Sequence, residues 1–88
     1  MAIEEEAKVP RLLLEHWDVI GVRDVDEQPE NEYLYEATEL LGLLRRGADR
    51  EELREYLSNS CRALGAHGSS SRDKHMAKVL LDWYAEST

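Results

Sequence analysis

The chain has no phenylalanine, one cysteine and two prolines, and its 11 lysine and arginine side chains face 19 aspartates and glutamates in 88 residues. Each scarcity excludes something. A single cysteine, Cys61, cannot close an internal disulfide, so the fold has no covalent staple of its own. The basic side chains form no cluster dense enough to follow a phosphate backbone, and the formal net charge is −8. Nucleic acid and anionic membrane surfaces are therefore not expected as partners. No stretch approaches the roughly 18 apolar residues of a membrane span. The opening MAIEEEAK has the wrong charge for a signal peptide, and the cytoplasm is the default compartment. Without phenylalanine, Trp17, Trp83 and four tyrosines hold all the large aromatic area and are the expected anchors.

What is present suits one small all-α domain spanning residues 1–88. Hydrophobic residues make up 42% of the chain and charged residues 34%, enough for an interior and a wet exterior. A chain of this size buries roughly 60–65% of its unfolded surface. The expected architecture is a compact bundle of four helices at about 9–17, 30–46, 50–64 and 71–85, with frayed ends at 1–8 and 86–88.

The pattern along the chain supports that division. Pro10 suits a first-turn position, and Val9, Leu12, Leu13, His16 and Trp17 recur at helical spacing. The segment 18–32 is aperiodic and acidic, yet it contains Val19, Ile20, Val22 and Val25, which predicts a long loop lying against the body, with Gly21 at a special backbone angle. Pro29, Glu30 and Glu32 read as a helix start, and Arg45, Arg46 and Gly47 as its stop. On this second helix Tyr33, Ala37, Leu40, Leu41 and Leu44 share one face, with Tyr35, Thr38 and Gly42 opposite. Gly42 inside a helix predicts close approach of another backbone, with the preceding loop as the nearest candidate; the alternative leaves Tyr35 and Leu43 exposed or waiting for a partner. Asp49 and Glu52 form a capping pair before the stripe Leu53, Leu57, Cys61 and Leu64, and the short link Gly47-Ala48 makes helices two and three antiparallel neighbours. Ser70 or Ser71 is the expected cap of the fourth helix, with Asp73 completing a box on Ser70.

Catalytic and metal chemistries find little support in the pattern. The histidines, at 16, 67 and 75, fall on separate elements with no H-x-x-x-H pairing, so no metal and no cofactor is expected. The acidic run Asp24, Asp26, Glu27 and Glu30 lacks the glycine and ligand spacing of a calcium loop. Cys61 on an apolar stripe reads as an inert buried thiol, and the Gly65 to Ser71 segment lacks the lysine of a phosphate loop. An enzyme is not expected.

The stretches LLLEHWDVIGV and ENEYLYEATELLGLLRRGADREELREYL, covering roughly residues 12–57, resemble a family of small all-helical bacterial proteins of unknown function. That family carries a W-D-P-I-G-V segment, a short acidic loop and then D-E-Y-D. Here Val19 replaces the proline, Asn31 the first aspartate and Leu34 the last. The resemblance implies a helical fold and a bacterial source, and it implies that Trp17, Asp18, Gly21, Glu32 and Tyr33 act together; physically, a structural role fits, in which Asp18 caps or ties down the loop while Tyr33 packs under it. It brings no catalytic residues.

The functional expectation is a non-enzymatic protein-interaction module with a protein partner, basic in character. Its binding surface is the acidic loop 18–32 and the exposed face of helix two, through Trp17, Asp18, Asp24, Asp26, Glu27, Glu32 and Tyr35. Trp17 has a second reading, as closure of the core. The alternative function is an immunity-type inhibitor that neutralises a basic toxin such as a nuclease. Leu14, Tyr35, Leu43 and Leu81 lie off the main stripes and either complete the core or form a dimer patch.

Overall fold

A computed structural model describes residues 2–19, 21 and 33–87, the side chains of 2–7 and 87 excepted. It contains α1 (Ala2–His16), α2 (Leu34–Arg45), α3 (Arg50–Ala63) and α4 (Ser70–Ser87), and no strand among the described residues. The helix starts proposed at Pro29, Glu30 and Glu32, and the apolar loop residues Ile20, Val22 and Val25, lie outside the described residues.

Helix α1 begins well before residue 9 and runs through Pro10. The expectation of a frayed 1–8 and a first-turn proline is corrected. Ala, Glu and Lys in the first turns are strong helix formers, and the Pro10 ring is buried in the wall of a groove beside α2, a packing gain that offsets the amide hydrogen bond it cannot make. The apolar stripe of α1, Val9, Leu12, Leu13 and Trp17, is buried, and the off-stripe Leu14 is buried with it.

Helices α2 and α3 end alike. After the last turn of α2, the Gly47 amide donates to the Leu44 carbonyl and the Ala48 amide to the Leu43 carbonyl, and the same two bonds recur from Gly65 and Ala66 to Arg62 and Cys61. This paired closure satisfies orphan carbonyls and demands a left-handed residue, which Gly47 supplies at φ +82°. At the start of α3 the Asp49 carboxylate accepts from the Glu52 amide at 2.9 Å, as the sequence predicts. The cap of α4 is Ser69 rather than Ser70 or Ser71: its hydroxyl accepts from the Arg72 amide at 3.2 Å, and its carbonyl from the Asp73 amide at 3.0 Å.

The helices pack in a ring: α1 lies against α2 and α4, and α3 against α4 and α2. Ala37, Leu40, Leu41 and Leu44 of α2, Leu53, Leu57 and Cys61 of α3, and Met76, Ala77 and Leu80 of α4 meet the α1 stripe in one core. Trp83, expected in the interior, is only partly buried and tilts against Tyr84 at the edge, with Leu43, Leu81 and Val19 also at the margin. Packing α1 against α4 places the C-terminal end of α1 over the first turns of α4, and this junction holds most of the unusual side-chain chemistry.

Candidate functional site

At that junction Trp17 is 1% exposed, and its indole Nε1 donates to the Asp73 Oδ1 at 2.9 Å. Asp73 is likewise 1% exposed, the one buried charged residue among the described residues. It shares a stripe with Met76, Ala77 and Leu80 at i, i+3, i+4 and i+7, so it faces inward and does not cap its own helix. Trp17 also stands edge-on to the buried Tyr33, with ring centroids 5.7 Å apart and planes at 67°. The Tyr33 hydroxyl in turn donates to the Asp18 Oδ1 at 2.7 Å. Asp18 opens a turn in which the Gly21 amide donates back to its carbonyl, with Gly21 at φ +66°, the left-handed angle the sequence predicts there.

These bonds correct the role given to Trp17. It is packed inside and hydrogen-bonded, so it offers no indole to a partner. Asp18 is partly buried and engaged by Tyr33, in keeping with a structural tie between the end of α1 and the start of α2. Asp24, Asp26, Glu27 and Glu32 lie outside the described residues.

Tyr35 is the proposed contact residue that stands on the surface, 71% exposed beside Leu34 at 47%; among the described residues these are the exposed large hydrophobic side chains. Glu36 and Glu39 lie next along the same side of α2. The Glu39 hydrogen bond, reinforced by the Glu39 and Glu36 charges, pushes the Tyr35 phenol above its ordinary value. One flank of this face opens on a groove of about 310 Å³ lined by Pro10, Leu34, Ala37, Thr38, Leu41 and Arg45. The other flank holds Glu39, Gly42, Leu43, Arg46 and Tyr56 around a second hollow of about 330 Å³. Burial there pushes the Tyr56 phenol up to about 12, with Glu36 and Glu39 adding to the rise. Gly42 is exposed, and a Cβ built on it meets nothing within 4 Å. No close backbone approach occurs at Gly42 among the described residues; the loop residues expected to make it, Ile20 and 22–25, lie outside the described residues.

Away from this face, Arg54 is held by Glu51 one turn earlier, its Nε at 3.0 Å from the Glu51 Oε1. That bond holds the Glu51 carboxyl below its ordinary value and raises Arg54. The pair borders a polar hollow with Asp49, Arg50 and Lys74. Cys61 is fully buried, as its stripe predicts; its thiol donates to the His67 carbonyl at 3.3 Å and receives the Arg72 Nη2 at 3.3 Å. His16 and His75, 59 residues apart in sequence, touch: their rings meet with centroids 5.3 Å apart. Among the described residues no three metal-ligating side chains gather, and no helix is long and apolar enough to cross a membrane. Comparison with protein-family models, with curated proteins and with solved structures finds no match to this chain.

Proposed function

We propose that this chain is a non-enzymatic protein-interaction module that receives a basic protein partner on the outward face of α2. The observation that supports the reading is the adjacent exposed pair Leu34 and Tyr35 beside an apolar-walled groove, in a chain whose other large hydrophobic side chains among the described residues are buried or partly so. An exposed aromatic next to a concavity is the usual form of an interface anchor. Glu36 and Glu39 flank it, and the net charge of −8 extends the same sign over the molecule, which steers a basic partner toward the face. The acidic segment 18–32 precedes α2 in the sequence, and its charge is of the same sign. Trp17 and Asp18 serve the site by holding the end of α1 against Tyr33, one residue before Leu34.

An inhibitor of a basic toxin such as a nuclease is one specific form of this reading, favoured by the carboxylates around Tyr35. It predicts a toxin gene beside this one and binding that weakens steeply with salt.

The test is affinity capture from the native host with the full chain as bait, followed by equilibrium binding of the purified partner. A basic protein is expected that binds wild type, dissociates as salt rises, and loses at least tenfold affinity to Leu34→Ala and Tyr35→Ala. Both variants are expected to keep stability within about 0.5 kcal/mol, as exposed positions do. Binding that ignores both substitutions, or that survives high salt, overturns the proposal.

A further inference from the structure

His16 closes α1, and His75 stands in the second turn of α4. The fold sets the His16 Nδ1 and the His75 Nε2 3.4 Å apart, with the ring planes at 61°. We propose that this pair is a binding site for a divalent transition-metal ion of the zinc class, with both imidazoles as ligands and water at the remaining positions.

The separation carries the argument. Hydrogen bonds from ring or backbone N–H groups cluster at about 2.7–3.2 Å, so 3.4 Å is long for one imidazole donating to the other. Two nitrogens bound to a tetrahedral zinc, each about 2.0–2.1 Å from it, stand about 3.3 Å apart. A right-angled pair on planar copper would sit closer, at about 2.9 Å. The observed pair therefore has the spacing of tetrahedral ligands before any metal arrives.

The surroundings suit a cation. The His16 Nε2, the nitrogen turned away from His75, lies 3.9 Å from the Glu15 Oε2. At that distance the carboxylate is not hydrogen-bonded to the ring, and it contributes negative charge beside the site, which favours a cation. His16 also occupies the last turn of α1, where the helix dipole is negative. His75 is exposed and the His16 side chain 34% exposed, so water can complete the coordination shell without opening the core. The two ligands sit on different helices, so a bound ion would cross-link the end of α1 to α4. With two protein ligands the affinity is expected to be modest, well below that of a closed structural zinc site.

The experiment uses the full chain, free of any histidine tag and stripped with chelator, titrated with zinc ions at neutral pH by calorimetry and by histidine side-chain NMR. One zinc per chain is expected, with the His16 Nδ1 and His75 Nε2 resonances moving together and the thermal midpoint rising on saturation. His16→Gln and His75→Gln should each weaken binding about tenfold or more, while His67→Gln leaves it unchanged. His75 is on the surface, so its substitution is expected to leave the fold intact and keeps the test decisive even if His16→Gln destabilises the chain. No saturable binding up to about 1 mM zinc, or binding that His75→Gln leaves intact, overturns the proposal.

Discussion

Replacing Trp17 by phenylalanine isolates the bond that joins α1 to α4. The substitution keeps an aromatic ring in the core but removes the Nε1 donor, leaving the Asp73 Oδ1 without its 2.9 Å partner in a residue that is 1% exposed. A hydrogen bond to a charged group contributes about 1.5–3 kcal/mol, and the lost indole volume adds about 1 kcal/mol of packing. Together these come to roughly 3 kcal/mol, which for a domain of this size lowers the thermal midpoint by roughly 12–24 °C. Urea unfolding of Trp17→Phe, Asp73→Ala and the double variant separates the two contributions. The coupling energy from that cycle should be about 1.5–3 kcal/mol, because the bond is buried and the two residues touch. A coupling below about 0.5 kcal/mol would refute the view that this hydrogen bond, rather than ring packing alone, fastens the helices.

Gly42→Ala should stabilise the chain by about 0.5–1 kcal/mol in urea unfolding, because the site is an exposed helix interior with open space for a methyl group. Gly47→Ala should instead destabilise it by about 1–2 kcal/mol, since φ +82° puts a Cβ against the backbone; equal signs for the two would contradict the structure. Tyr56 has its folded-state pKa raised above that of the unfolded chain, so its neutral phenol stabilises the fold fully below pH 10 and that contribution is lost as pH rises toward about 12. Ultraviolet titration should find a late-ionising step from Tyr56, and Tyr56→Phe should remove both that step and its share of the alkaline stability loss.

Much of the helical plan was legible because it rests on local rules. Asp49 caps α3, Gly47 and Gly65 end helices with the expected bonds, and the stripe Ala37, Leu40, Leu41 and Leu44 faces inward while Tyr35 and Thr38 face out. Propensity placed the start of α1 poorly, because a proline reads as a first-turn residue unless packing against a neighbouring helix buries its ring. Of the proposed contact residues, Tyr35 stands where its period puts it. Trp17 could not be assigned from sequence alone, since an aromatic at a helix end serves a core or a partner equally well until its donor finds an acceptor.

The sequence by itself determined the elements: four helices, their stops, and which side of each is apolar, since these follow from periodicity and from caps within a few residues. Only the tertiary structure decided what meets across the junction of α1 and α4. Trp17 and Asp73 are 56 residues apart and His16 and His75 are 59 apart, and no local spacing encodes either meeting. The packing of one helix on another sets those distances, so a residue that reads locally as a helix cap becomes a buried acceptor. In the same way, two histidines that look unrelated along the chain come to share one edge of the fold.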